Sequence, residues 1–238
     1  RVVADRDFVD PQPALGDLVP WTDAATQTGV QRTDLTLTQG TTYYVSVRAT
    51  NGIGLVSEVG SSDGITVDTT APGIPIVTGS AYSSSITELH ITLECVDAES
   101  GIASYDCAVG TAAGSTDVAD WANVGTGPDV TLTGLSLRHG NRYYVLARAT
   151  NGAGIVGEPG TSGAITVDTT GPVNVSVRDD GAFTASDTQL HGRWSASDPE
   201  SGIGSFRYCI GTAAGANDVA DWLDVGTATE HTRTGLAL

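Results

Sequence analysis

No lysine and no methionine occur in these 238 residues; every one of the 11 basic side chains is arginine, against 28 Asp plus Glu, for a formal net charge of -17. A field of that sign repels phosphate backbones and anionic membrane surfaces, which excludes nucleic acid and membrane contact from the expected partners. No apolar run approaches the length of about 18 residues that a membrane helix needs, and no basic-then-apolar leader is present. Arg1 is not a natural start, so the chain reads as processed or as a piece of something longer. Three cysteines, Cys95, Cys107 and Cys209, are too few for a disulfide scaffold and lack metal-ligand spacing.

What the chain has in plenty is repetition. "YYVSVRATNGIGLVSE" from Tyr43 returns as "YYVLARATNGAGIVGE" from Tyr143, and residues 35–70 match 135–170 at 22 of 36 positions. "VDTTAP" at Val67 returns as "VDTTGP" at Val167. A second pair, "DAESGIASYDCAVGTAAGSTDVADW" from Asp97 and "DPESGIGSFRYCIGTAAGANDVADW" from Asp198, is offset by 101, so the stretch from Pro72 to Leu89 and its later counterpart differ in length by one residue. Trp21, Trp121 and Trp222 share one phase, which makes three copies, of which one is whole.

Alternation puts Tyr43, Val45, Val47 and Ala49 on one face of a strand, with Tyr44, Ser46 and Arg48 on the other. No stretch has a helical period, and clusters of Gly, Asp, Ser and Pro separate the runs as turns. Roughly seven short strands in about 100 residues is the signature of a β-sandwich. The predicted fold is all-β, a tandem array of Ig-like sandwiches: a partial module at 1–71, a complete one at 72–171, and a second partial one at 172–238.

"LTQGTTYYVSVRATNGIG" and "LRHGNRYYVLARATNGAG" resemble the E-to-F corner and F strand of fibronectin type III modules, with Leu37, Gly40 and Tyr43, and Leu137, Gly140 and Tyr143, in tyrosine-corner spacing. In "LHGRWSASDPESGIGSFRYCIGT", Trp194 sits like the strand B tryptophan and Phe206 like the strand C aromatic, whereas Leu93 replaces that tryptophan in the complete copy. The resemblance implies strands C to G in the first partial module and A to E in the last. A sandwich cut in this way exposes core face and strand edges, so the native chain is expected to continue at both ends. The register points Cys95 and Cys107 into the core from opposite sheets; an intersheet disulfide and two packed thiols are both open readings. Cys209, of opposite parity, is expected to face outward.

Asp97 and Glu99 in the loop after strand B, with Asp68 in the linker motif, are candidate calcium ligands, as are their counterparts Asp198, Glu200 and Asp168. Hard oxygen ligands suit calcium, which extracellular modules bind at about 10⁻⁴ to 10⁻³ M, and an ion there would stiffen the hinge. The competing reading is that these residues only cap turns, since neither a DxDxDG loop nor a glycine-rich nonapeptide repeat is present. The four histidines, His90, His139, His191 and His231, form no Ser/His/Asp arrangement, so no enzyme is expected. The tryptophans are either packed at the C′ edge or sugar-stacking platforms. Asn174-Val175-Ser176 is a glycosylation acceptor pattern. The expected role is a segment of a long extracellular structural or adhesive repeat protein at the cell surface, such as a filament, stalk or adhesin, whose partners are other copies, other surface proteins or glycans. The alternative is a spacer or carbohydrate-binding region of a secreted enzyme.

Overall fold

The computed structural model describes residues 18–19, 21–33 and 35–237. Among them every regular element is a strand. The first copy contributes β1 (Thr42–Tyr43), β2 (Ser46–Val47), β3 (Gly60–Ser61) and β4 (Ile65–Thr66). The middle copy contributes β5 (Ile76–Gly79), β6 (Tyr82–Ser83), β7 (Glu88–Glu94), β8 (Ile102–Gly110), β9 (Ala119–Gly125), β10 (Asp129–Thr133), β11 (Arg142–Asn151), β12 (Gly160–Thr161) and β13 (Ile165–Val167). The last supplies β14 (Val173–Asp179), β15 (Gln189–Ser197), β16 (Arg207–Ile210), β17 (Ala220–Asp224) and β18 (Glu230–Thr234). Residues 21–33, where the resemblance implies strands of the first module, form none, and residues 1–17 lie outside the described set.

Contacts divide the chain into two compact units. One holds the described part of Arg1–Ile74 with Cys95–Tyr105 and Arg148–Glu158; the other holds Pro75–Glu94, Asp106–Ala147 and the described part of Pro159–Leu238. In the second unit the strands run β10-β7-β5 in one sheet, and β6-β13-β11-β8-β9 with β12 beside β11 in the other. Apolar alternation explains the pairing. Leu89, Ile91 and Leu93 of β7, Val77 of β5 and Val130 of β10 are buried, as are Tyr143, Val145 and Ala147 of β11 and Ile165 and Val167 of β13. Burying such rows on two inner faces is what holds a sandwich together. β6 joins β13 in parallel, Tyr82 opposite Thr166, so a short segment changes sheets at the start of the module.

The flanking copies keep the registers of the middle one. β1 pairs β4 with Tyr43 opposite Ile65, as β11 pairs β13 with Tyr143 opposite Ile165. β14-β15-β18 reproduces β5-β7-β10, with Val177 opposite Trp194 where the middle copy has Val77 opposite Leu93. Both tyrosine corners close: Tyr43 Oη accepts from Thr38 N at 3.0 Å and Tyr143 Oη from Arg138 N at 2.9 Å. Gly40 and Gly140 make these corners at φ +71° and +77°, a region that a Cβ disfavours. Trp194 and Phe206 meet with ring centroids 6.2 Å apart, as the strand B and strand C assignments require.

Candidate functional site

In the first unit the linker is held from both sides. Val67 N donates to Thr41 O at 3.0 Å and Gly40 N to Val67 O at 2.8 Å, which ties the end of β4 to the preceding corner. Asp68 then becomes the hub. Its Oδ2 accepts from Ser100 Oγ at 2.5 Å and from Asn151 Nδ2 at 2.7 Å, and its Oδ1 from Gln39 Nε2 and Thr70 N, each at 3.1 Å. These donors, led by the Ser100 hydroxyl, hold the Asp68 carboxyl below the usual carboxylate range because they favour its charged form.

The loop after β7 folds around a second carboxylate. Asp97 Oδ1 accepts from Ser100 N at 2.9 Å and Gly101 N at 3.1 Å, a side-chain-capped turn, while its Oδ2 accepts from Asn151 Nδ2 at 3.1 Å. Asn151 is buried at the end of β11; its Nδ2 also reaches Thr70 O at 2.9 Å and its Oδ1 accepts from Ile155 N at 2.8 Å. A Cβ on the next residue, Gly152, would lie 2.6 Å from Ser100 O, so the Asn-Gly pair of "ATNG" is demanded by the close approach of the two loops.

The second unit repeats half of this pattern. Asp168 Oδ2 accepts from Ser201 Oγ at 2.6 Å, and Asp198 Oδ1 from Ser201 N at 2.9 Å and Gly202 N at 3.1 Å. Asp168 too is held low, first by the Ser201 hydroxyl and then by Thr170 N. His139 stands where Gln39 stands in the earlier copy. Its Nδ1 accepts from Thr169 N at 3.2 Å and lies 3.8 Å from Asp168 Oδ1, and its Nε2 lies 3.5 Å from Glu200 Oε1.

Five of the six candidate calcium ligands therefore gather, as Asp68, Asp97 and Glu99, and as Asp168 and Glu200 with His139 in place of Asp198; in each group ligand atoms lie within 4.8 Å of one another. Their surroundings fit calcium poorly. A cation needs lone pairs aimed at one point, whereas those of Asp68 and Asp97 already face hydroxyl, amide and backbone N–H donors. The arrangement is that of a hydrogen-bonded clamp on the linker.

Other candidates fall as follows. Cys95 and Cys107 are free, which corrects the intersheet bond in favour of separate thiols: β7 ends at Glu94, and Cys95 Sγ turns to donate to Gly73 O at 3.0 Å. Burial pushes the Cys107 thiol up to about 12, leaving it protonated and inert. Cys209 is half-buried, not outward, with Sγ 3.5 Å from Ala216 O. The Trp21 ring lies under Arg48, 4.9 Å from Cζ to centroid; Trp121 is half-buried and Trp222 exposed. His90, His191 and His231 bond to Thr131, Asp180 and Tyr208 from strand positions. Asn174 is exposed at φ +56°, its Nδ2 donating to Ser197 Oγ at 3.2 Å. No helix of the described residues is long and apolar enough to cross a membrane. Sequence reasoning found both aspartates of each clamp but passed over Asn151 and Gln39. The signal was the repetition of "ATNG" and the pairing of Gln39 with His139 in phase.

No family model matches the chain. Among curated proteins, exoglucanase B of Cellulomonas fimi is 29% identical over 221 residues, 86% of this chain and 19% of that protein, so the chain spans about a fifth of this relative. Among solved structures, the chain is similar to the FN1–FN3 domains of chicken CNTN1, at 20% identity and a TM-score of 0.44 over 85% of this chain and 68% of that one. It is also similar to a tetra-tandem repeat in the extending region of a large adhesion protein, at 20% identity and a TM-score of 0.30 over 82% of this chain and 48% of that one. By its own sheet order, buried inner faces and two closed tyrosine corners, the chain is built from tandem repeats of a β-sandwich that resembles fibronectin type III modules.

Proposed function

We propose that this chain is a stretch of a long extracellular repeat protein whose task is mechanical and adhesive, carrying reach along a surface filament, stalk or adhesin. The observation that carries this reading is the clamp on Asp68. A linker whose carboxylate is bonded to the preceding corner through Gln39, and to the following loops through Ser100 and Asn151, resists bending where a plain tether would swing. The modules carry no chemistry in this reading. Sugar on Asn174 and contacts with glycans or other surface proteins belong to the same extracellular setting. Sequencing and weighing the intact native polypeptide is the test. Many further modules ending in an anchor or assembly domain support the adhesive reading, and a flanking catalytic domain overturns it.

That second outcome corresponds to a second reading, a non-catalytic spacer within a secreted glycan-degrading enzyme, which the resemblance to exoglucanase B favours. The exposed indole of Trp222 is the side chain that would stack on sugar there. An unchanged Trp fluorescence spectrum on titration with soluble glucan oligosaccharides would remove the carbohydrate-binding form of this reading.

A further inference from the structure

Every residue around Asn151 belongs to the first of the two compact units: Asp68 and Thr70 of the linker, Asp97 to Gly101 of the loop after β7, and Gly152 to Ile155 of the turn that follows β11. Asparagine followed by glycine is open to a reaction within the chain. The glycine backbone N attacks the asparagine Cγ, the Cγ–Nδ2 bond breaks, and ammonia leaves. Water then opens the five-membered imide at either carbonyl, giving aspartate or isoaspartate. Glycine carries no Cβ to screen the attacking nitrogen. Packing leaves the chain no safer pair. A Cβ at Gly152 would meet Ser100 O at 2.6 Å. At Asn151 the junction needs one short side chain that donates to Asp68 Oδ2, Thr70 O and Asp97 Oδ2 and also accepts from Ile155 N.

The same contacts hold the reaction off. Attack requires Gly152 N to give up its proton and turn onto Asn151 Cγ, but that N–H donates to Gly101 O at 3.0 Å. The leaving nitrogen is bonded at 2.7, 2.9 and 3.1 Å and Oδ1 at 2.8 Å, so Cγ cannot rotate toward the backbone. Ala153 N, the next amide, is tied to Ser100 Oγ at 3.2 Å. Asn151 is 1% exposed, which keeps from it the water that the reaction consumes. Local opening of the turn would release all of these restraints together.

We propose that Asn151–Gly152 is a deamidation site gated by the fold: unreactive while the clamp is closed, and converted when the junction opens, so that an opened junction stays loosened. The conversion runs one way. Aspartate sets a carboxylate oxygen where Nδ2 stood, facing Asp68 Oδ2 and Asp97 Oδ2, and like charges replace an amide that had bridged the two acids. Isoaspartate lengthens the backbone by one carbon and carries Gly152 N out of register with Gly101 O. The inference needs no adhesive task, because denaturant exposes the pair as load does, and its failure would leave the array reading standing.

Peptide mass spectrometry of the 238-residue chain, held in mildly alkaline buffer with and without denaturant, tests it. In denaturant Asn51 and Asn151, which share Ala-Thr-Asn-Gly, should convert at matching rates. In native buffer conversion at Asn151 should be slower than in denaturant by about 100-fold or more. Ser100→Ala frees Ala153 N and takes a donor from Asp68, so it should speed the native reaction at Asn151 and leave the rate in denaturant unchanged. Asn151→Asp, the aspartate product made directly, should melt below wild type and below Asn151→Ala, since it adds a charge as well as removing a donor. A native rate at Asn151 equal to that in denaturant, a denatured chain that converts at Asn51 but not at Asn151, a native rate unmoved by Ser100→Ala, or an Asn151→Asp chain as stable as wild type overturns the proposal.

Discussion

Asn151 shows how one side chain can hold a junction together. Its two Nδ2 hydrogens are shared among Asp68, Thr70 and Asp97, so Asn151→Ala takes a donor from two half-buried carboxylates, and the expected loss is about 2–3 kcal/mol in chemical denaturation of the full chain. Asn51, in the same phase of the exposed first copy, should give a much smaller loss on the same change. Asp68, Asp117, Asp168 and Asp218 all have carboxyl groups held below their ordinary range, chiefly by hydroxyl donors from Ser100, Ser115, Ser201 and Thr212. A depressed folded-state value contributes stability above the unfolded value of about 3.9, and that stability is lost as pH falls through the folded one. Melting temperature should therefore be flat near neutrality and drop in acid below about pH 4. A drop already centred near the histidine range would contradict this account.

At the level of strands and corners, much was legible in advance. The alternation read on Tyr43, Val45, Val47 and Ala49 holds at their counterparts Tyr143, Val145, Ala147 and Ala149, which are buried in β11, and the Leu-Gly-Tyr spacing gave both tyrosine corners, because periodicity and a positive-φ glycine are local properties of the chain. The clamp was legible only by halves. Asp68 and Asp97 announced themselves as acids in turns, but their hydrogen-bond donor Asn151 lies 83 residues from Asp68 in sequence and reads locally as an ordinary turn residue. Nor could composition tell a ring of acceptors awaiting an ion from a ring already filled by donors; that depends on where Ser100, Thr70 and Asn151 point. Cys107 is buried as its parity placed it, whereas Cys95 falls just past the end of β7, since parity places a side chain on a face but does not say where the strand ends. Tyr143→Phe removes the hydroxyl that accepts from Arg138 N, and should cost about 1 kcal/mol by denaturant unfolding, with Tyr43→Phe costing less in its exposed corner.

For the whole molecule, two features bear on stability: a strongly negative charge and the hydrogen bonds on the Asp68 linker. Hydrogen bonds from Ser100, Asn151, Gln39 and Thr70 already meet the Asp68 carboxylate, so the expected thermal melt is the same in excess chelator and in millimolar calcium. A rise of several degrees with calcium would restore the metal to the junction and displace the hydrogen-bonded account. Salt should act differently, raising the melting temperature modestly at neutral pH as it screens the net charge of -17.

The stretch from Val67 to Gly73 also has a chemical consequence of its own. A protease must draw several consecutive residues into its cleft as a bare, extended strand. Here the amides of Val67, Thr69, Thr70 and Gly73 are already committed to Thr41, Gln39, Asp68 and Val96. Hydroxyl-rich connecting segments are usually the first to be nicked. This one should outlast the exposed 21–33 stretch in limited digestion, so the joint between repeats would be among the last places the chain is cut.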